Sequence, residues 1–240
     1  MTRLVLLPGW GMGPATWRPL TERLPAAWRF RTPVLAWRPQ PAGAAGLDGW
    51  LEPDLPAGVW VGWSLGGLLA LWAAHRAPGR VRALIWIAAT PRFLATADWP
   101  GMAPETFAGF AQGFRADPVA GWRRFLALLA RGDRDGARLR RRLARLAPVP
   151  ALDPAALDAG LAALQGQDLR PQFTGLQCPC LCLLGSGDAL IPIALARALR
   201  ALRPGVRVVR LAGRGHAPHL SDPERVAAEI RSFLEAAGHG

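Results

Sequence analysis

Short hydrophobic runs alternate with stretches of helical periodicity towards both ends of the chain. The runs are apolar at consecutive rather than alternate positions, which is typical of parallel strands buried on both faces. They predict strands at residues 3–7, 58–63, 81–88, 180–184 and 206–211. A last helix is predicted to begin at a capping box, with Ser221 as the N-cap residue and Glu224 three positions further on. The pattern indicates an α/β domain with a mostly parallel central sheet flanked by helices.

The middle of the chain has a different pattern. From Pro91 to Asp168 no strand pattern occurs, and apolar residues recur at helical spacing, as in Leu139, Leu143 and Leu146. We therefore predict a helical lid, or cap, of residues 91–168, inserted into an α/β core of residues 1–90 and 169–240.

Composition narrows the class of protein. Hydrophobic residues make up 51% of the 240 residues and charged residues 19%, which excludes an intrinsically disordered chain. No apolar run reaches the ~18 residues of a membrane span, and the N-terminus has no pattern of a secretion signal. The three cysteines, Cys178, Cys180 and Cys182, have neither disulfide nor zinc-site spacing. We expect them to be buried, unpaired thiols of a cytoplasmic protein that binds no membrane.

A serine motif lies between a predicted strand and a predicted helix. Gly62-Trp63-Ser64-Leu65-Gly66 has the form G-x-S-x-G. In this context the motif is typical of a sharp turn that exposes a nucleophilic serine at a helix N-terminus, where a developing anion is stabilised. Ser64 is the predicted nucleophile.

A serine nucleophile needs a base and an orienting acid, which follow it in the order serine, acid, histidine in this architecture. Of the four histidines, His216 lies in a glycine-rich loop after the last strand, and His219 is a weaker candidate three residues further on. Asp188 follows another buried strand and is the predicted acid. Asp168 and Asp222 are the alternatives.

An oxyanion hole is also required. The backbone N–H of Leu65, the residue after the nucleophile, is one predicted donor. The second is that of Trp10, in the glycine-rich loop after the first strand. Trp10 and Trp63 are also predicted to line the substrate pocket with aromatic surface.

These motifs, together with several further stretches, resemble the α/β-hydrolase superfamily and, within it, the BioH family of pimeloyl-[acyl-carrier protein] methyl ester esterases of biotin synthesis. The further stretches are Gly9-Trp10-Gly11, Trp99-Pro100-Gly101, Arg124-Phe125-Leu126-Ala127-Leu128, Asp168-Leu169-Arg170-Pro171 and His216-Ala217-Pro218. The resemblance implies a serine carboxylesterase with Ser64, Asp188 and His216 as triad and Trp10 and Leu65 as oxyanion donors. It also implies that Arg124 and Phe125 bind substrate, and that no cofactor or metal is needed.

Two segments depart from the family pattern. Residues 35–41 lack the usual glycine-rich loop, and Pro8 replaces a histidine before Gly9. Neither change affects the predicted triad, but both alter the expected rim of the pocket.

Charge adds a partner hypothesis. The formal net charge is +12, and all 29 basic residues are arginine. Ten arginines lie between Arg115 and Arg145 against only three aspartates. Five of them recur at spacings of three and four, which would form a stripe on a helix: Arg134, Arg138, Arg141, Arg142 and Arg145. Because the family's carrier protein is acidic, we predict that this basic lid docks it, with Arg138 and Arg142 in contact; a solvated face is the alternative.

Other functions remain open from sequence. An esterase or thioesterase of the same fold acting on small free esters is the nearest alternative, and a carbon–carbon lyase could use the same triad. A basic nucleic-acid-binding module has no motif to support it.

Overall fold

A parallel β-sheet forms the centre of the fold. The computed structural model describes residues 1–33, 35, 47–52, 54–147 and 154–239. Within them the sheet has six strands in the order β2-β1-β3-β4-β5-β6, and each neighbouring pair is parallel. The strands are β1 (Arg3–Leu7), β2 (Arg29–Arg31), β3 (Gly58–Trp63), β4 (Val81–Ile87), β5 (Cys180–Gly185) and β6 (Arg207–Leu211). The predicted α/β fold and its parallel sheet are confirmed.

The central strands are buried on both faces, which explains their continuous apolar sequences. Every residue of β3 and β5 is buried. Cys180 and Cys182 lie in β5 with their Sγ atoms 3.9 Å apart, as expected for alternate residues on one face of a strand. Cys178 precedes the strand, and all three thiols are buried and unpaired, as predicted.

Helices pack around this sheet. They are α1 (Arg18–Thr21), α2 (Leu65–Arg76), α3 (Pro104–Ala116), α4 (Pro118–Ala130), α5 (Gly136–Leu146), α6 (Pro154–Gly166), α7 (Arg170–Thr174), α8 (Leu195–Leu202), α9 (Pro218–Ser221) and α10 (Pro223–Ala236), with short 3₁₀ helices at Pro14–Trp17 and Asp48–Trp50. No helix in the described part of the chain is long and apolar enough to cross a bilayer.

The chain between β4 and β5 is helical, and we call α3 to α6 the helical segment. An isolated antiparallel bridge joins Arg92 to Asp168 where the chain leaves and rejoins the core. The division into a core and a lid at residues 91 and 168 stays a prediction, and this bridge lies at both predicted boundaries.

Two local predictions differ from the structure. The strand β2 was not predicted, because its three residues are exposed at the sheet edge and form no apolar run. The capping box at Ser221 was wrong: Ser221 ends α9, and Asp222 caps α10 by accepting a hydrogen bond from the Arg225 N–H. The Ser221 hydroxyl donates to Asp133 instead, at 2.7 Å.

The strand order reverses direction between β1 and β3, because β2 lies beyond β1 and all later strands lie beyond β3. Crevices at such switch points, at the carboxyl ends of the strands, are where open α/β sheets form their sites. Gly9 and Trp10 follow β1, and Ser64 follows β3.

Candidate active site

Ser64 occupies a strained turn between β3 and α2. Its φ of 55° and ψ of −120° place a non-glycine residue in a sparsely populated conformation directly before the helix. The turn is possible because glycines lie where the chain segments meet: a Cβ at Gly66 would lie 2.1 Å from the carbonyl oxygen of Leu7. The half-buried Ser64 side chain therefore lies at the head of α2, among the free N–H groups of the first turn.

Asp188 and His216 form a buried pair after β5 and β6. His216 Nδ1 lies 2.8 Å from Asp188 Oδ2 and 3.0 Å from Oδ1, and the two side chains are 0% and 1% exposed. The backbone N–H groups of Leu190 and Ile191 also donate to Oδ1, which fixes the carboxylate. Because a carboxylate only accepts, Nδ1 carries the hydrogen and the neutral ring has its lone pair on Nε2. Nε2 is buried and bonds to no other described residue.

His219 has a different environment. Its ring lies between Trp17 and Trp63, at centroid distances of 4.9 Å and 4.6 Å, and neither of its nitrogens has a partner among the described residues. Burial, followed by the nearby charges of His216 and Arg142, lowers its pKa to about 3. His219 therefore stays neutral and has no carboxylate to orient it.

The two alternative acids have other partners. Asp168 forms ion pairs with Arg92 and Arg170. Asp222 caps α10 and pairs with Arg214.

The predicted oxyanion donors lie near the nucleophile. A Cβ at Gly9 would lie 3.5 Å from the Cβ of Ser64, so the loop after β1 reaches the serine. A Cβ at Gly160 of α6 would lie 2.4 Å from Trp10 Cδ1 and 3.4 Å from Leu65 Cδ2. The side chains of Trp10 and Leu65 therefore pack against the same turn of α6. Neither the Trp10 nor the Leu65 N–H donates a hydrogen bond to another described residue.

An aromatic cluster joins the loop after β1 to the helical segment. The Trp10 indole is 2% exposed, donates to the Leu157 carbonyl at 2.7 Å, and meets four aromatic rings. These are Phe110, Phe114, Trp122 and Phe125, with Phe125 nearest at 4.8 Å between centroids. Trp63 Nε1 donates to the His216 carbonyl at 2.8 Å, which joins the nucleophile turn to the histidine loop. Of the predicted substrate-binding aromatics, Trp10 and Phe125 thus meet in one cluster, whereas Trp63 packs against the histidine loop.

The predicted substrate-binding arginines lie at the surface. Arg124 is exposed and donates to the Gly113 carbonyl of α3. Arg138 and Arg142 of α5 line a groove of about 510 Å³, which also contains Arg23 and Arg145. Arg142 is half-buried and donates to the Leu220 carbonyl at 2.7 Å, so it is not part of a fully solvated stripe.

Sequence reasoning missed two residues that contact this region. Gly160 carries no motif, and only its contact with Trp10 reveals why a side chain is excluded there. Asp133 was counted only as a negative charge among the arginines, whereas its side chain is fully buried against the histidine loop.

Comparisons with known proteins agree with this geometry. The α/β hydrolase fold family matches residues 54–223. The pimeloyl-[acyl-carrier protein] methyl ester esterase of Aromatoleum aromaticum is 44% identical over 243 residues, covering 96% of this chain and 97% of that protein. The protein of the same name from Methylococcus capsulatus is 37% identical, covering 96% and 94%.

Solved structures agree on the fold. An esterase from Exiguobacterium antarcticum superposes with a TM-score of 0.84 at 18% identity, covering 98% of this chain and 92% of that one. A bromoperoxidase from Bacillus anthracis gives a TM-score of 0.82 at 20% identity, covering 98% and 92%. The sequence matches and the fold together establish that the chain belongs to the α/β-hydrolase family and, within it, to the family of the pimeloyl-[acyl-carrier protein] methyl ester esterases.

Proposed function

We propose that this carboxylic ester hydrolase removes the methyl group from the pimeloyl-[acyl-carrier protein] methyl ester of biotin synthesis, with Ser64, His216 and Asp188 as its catalytic triad. The buried contact between Asp188 and His216, in the loops next to the Ser64 turn, carries the assignment. A cytoplasmic location is part of the proposal and is supported by the three unpaired cysteines, since reducing compartments keep thiols free.

Acylation begins at Ser64. Its Oγ attacks the carbonyl carbon of the methyl ester while His216 Nε2 takes the hydroxyl proton. The tetrahedral intermediate places its negative charge on the former carbonyl oxygen, where the unpaired N–H groups of Trp10 and Leu65 are the proposed donors. The intermediate collapses as His216 returns the proton to the leaving oxygen, which releases methanol and leaves the acyl group on Ser64.

Water completes the cycle. His216 Nε2 removes a proton from a water molecule, whose oxygen attacks the acyl carbon through a second tetrahedral intermediate. The Ser64 oxygen then leaves with the proton from His216, and the product carries a free carboxylate. In both halves Asp188 holds the Nδ1–H and stabilises the imidazolium that forms, without being protonated itself.

We further propose that the helical segment acts as a lid over the acyl chain. Phe125 and Trp122 of α4 and Phe110 and Phe114 of α3 contact Trp10, next to the proposed oxyanion hole. Aromatic surface of this kind suits a methylene chain, because burial of each CH₂ contributes about 0.8 kcal/mol. The exposed Arg124 and the groove with Arg138 and Arg142 would contact the carrier protein rather than the ester.

Mass spectrometry after reaction with a fluorophosphonate tests the chemistry. Wild-type protein should gain one phosphonyl group on Ser64, and Ser64→Ala should gain none and lose ester hydrolysis while keeping its circular dichroism spectrum. Ser232→Ala, which changes an exposed serine of α10, is the control and should react like wild type. Substantial activity in Ser64→Ala would contradict the triad.

The natural substrate needs a separate comparison. We expect a higher kcat/KM for the carrier-linked pimeloyl methyl ester than for the same ester free in solution, with methanol as a product of both. Equal values would favour an esterase of small free esters.

A further inference from the structure

The turn between α4 and α5 contains a carboxylate that the proposed reaction does not use. The side chain of Asp133 is 0% exposed. Its Oδ2 accepts hydrogen bonds from the Gly215 N–H at 2.9 Å and the Ser221 hydroxyl at 2.7 Å, and its Oδ1 accepts from the Asp135 N–H at 2.9 Å. The Arg214 guanidinium lies 3.8 Å from Oδ1. A buried carboxylate that accepts three hydrogen bonds is firmly held, because breaking one of them would leave a buried polar group unpaired, which costs free energy.

The partners of Asp133 bracket His216. Gly215 directly precedes the histidine, and Ser221 ends the short helix α9 that follows it. One carboxylate oxygen therefore ties together both ends of the loop that carries the proposed base. Neither end of that loop is otherwise part of a long element, so these bonds restrict where the imidazole lies.

The same turn makes a further contact with the histidine loop and also contacts the loop of the proposed acid. In the histidine loop, the Gly213 carbonyl accepts a hydrogen bond from the Arg134 N–H at 2.7 Å. Gly132 packs so closely on the acid loop that a Cβ there would lie 1.9 Å from the carbonyl oxygen of Gly187, the residue before Asp188. The Gly187 N–H in turn donates to the Arg214 carbonyl at 2.9 Å. The acid loop, the histidine loop and the turn before α5 thus form one connected unit.

We propose that Asp133 is a positioning residue: from the helical segment, it holds the His216 loop so that Nδ1 meets Asp188 and Nε2 is oriented for proton transfer. The inference rests on the proposed role of His216 as the base. Asp133 touches no reacting atom in this proposal; it acts through the backbone of Gly215 and the hydroxyl of Ser221. The helical segment then contributes to catalysis as well as covering the substrate.

Asp133→Ala is the direct test, because it removes both acceptor oxygens and so leaves the Gly215 N–H and the Ser221 hydroxyl without their shared partner. We expect kcat on a p-nitrophenyl ester to fall roughly 10- to 100-fold, because small displacements of catalytic groups cause rate losses of this size. KM should change by no more than about twofold, since substrate contacts are intact. The downfield proton NMR resonance of the His216 Nδ1–H should shift or broaden. All measurements are made well below the unfolding temperature of each variant.

Two controls separate positioning from general damage. Asp117→Ala removes the N-cap of α4 and weakens the same helical segment without touching the histidine loop. Asp135→Asn neutralises a half-exposed carboxylate in the same turn, whose side chain pairs with Arg214. Both should keep kcat and the NMR resonance close to wild type. Folded Asp133→Ala with wild-type kcat and resonance would overturn the inference, as would a kcat loss that Asp117→Ala reproduces.

Ser221→Ala provides the test if Asp133→Ala does not fold, because it removes one donor and leaves the carboxylate in place. A smaller loss of kcat at constant KM supports the inference, and no loss overturns it. Fluorophosphonate labelling distinguishes the two levels of the argument. If wild-type Ser64 is not labelled, the proposed function fails; if wild type and Asp133→Ala are labelled at equal rates, only the positioning role fails.

Discussion

Two histidines after β6 are three residues apart and both are buried, but their surroundings differ. His216 meets the carboxylate of Asp188, whereas His219 lies against Trp17 and Trp63 and has its pKa lowered to about 3 by burial. Sequence order and the glycine-rich context of His216 were enough to rank it first. The environment of His219 was not predictable, because it depends on tryptophans that are distant in sequence.

The orienting role of the acid gives a prediction at the residue scale. Asp188→Asn keeps the shape of the side chain but favours the wrong His216 tautomer, since an amide N–H faces Nδ1. We expect kcat on a p-nitrophenyl ester to fall by a factor on the order of 10⁴. Asp222→Asn, which changes a carboxylate that follows the histidine loop and pairs with Arg214, should keep most of the activity. A loss of less than about tenfold in Asp188→Asn would assign the acid to another residue.

At the scale of elements, what could be predicted depends on how local the signal is. The five strands with continuous apolar runs were predicted to within one residue at each end. A strand that is buried on both faces is apolar at consecutive positions, and this pattern is visible in the sequence. The edge strand β2 forms only through pairing with β1, since its residues Arg29, Phe30 and Arg31 are all exposed. Ser221 fitted a capping pattern, but its hydroxyl donates to Asp133, which no local pattern shows.

The ion pairs of Asp168, where the helical segment joins the core, give a prediction at this scale. Burial alone would raise the pKa of Asp168, but hydrogen bonds from Arg170 and Arg92 lower it to about 2. A carboxylate whose pKa is lower in the folded state stabilises the fold above its unfolded pKa and loses that effect as pH falls through the folded pKa. Asp168→Asn should therefore lower the free energy of unfolding by about 1–2 kcal/mol at pH 7.

Urea unfolding at a series of pH values measures this effect. The difference between wild type and Asp168→Asn should shrink as pH falls from the ordinary aspartate pKa of 3.8 towards the folded-state pKa of about 2. Asp158→Asn breaks an exposed pair with Arg115 and should have little effect at any pH. A difference that stays constant with pH would show that the stabilisation does not come from the ionised carboxylate.

For the molecule as a whole, part of the net charge of +12 is concentrated in a surface groove. Arg23, Arg138, Arg142 and Arg145 line the groove beside α5 and α9, and Glu224 and Asp135 at its edge do not match their number. Partial burial, followed by repulsion from Arg138, Arg23 and Arg145, lowers the pKa of Arg142. Such a surface attracts acidic proteins, and the attraction weakens with salt.

The proposal that this groove docks the carrier protein is tested by charge reversal at its exposed arginines. Arg142 is unsuitable, because it is half-buried and bonds to Leu220. Arg138→Glu with Arg145→Glu should lower kcat/KM for the carrier-bound ester roughly tenfold or more, which corresponds to ~1.4 kcal/mol per factor of ten. A short free ester should be hydrolysed at the wild-type rate.

Control and salt response complete this experiment. Arg197→Glu with Arg210→Glu makes the same change in net charge on exposed residues outside the groove and should leave both substrates unaffected. Wild-type activity on the carrier-bound ester should fall as the screening length shortens from about 10 Å at 0.1 M salt to about 3 Å at 1 M. The Arg138→Glu, Arg145→Glu variant should respond less. Equal losses on free and carrier-bound esters would indicate damage to the fold instead.

The buried thiols in and just before β5 have a practical consequence. Burial raises the pKa of Cys178 to about 11 and that of Cys180 well above its usual value, so neither forms a thiolate in the native state at neutral pH. Alkylating reagents react with thiolates, so we expect the fully buried Cys180 to react only after β5 separates from its neighbours. The rate of alkylation at Cys180 should therefore report how often β5 opens, and this unfolding rate can be measured without an engineered label.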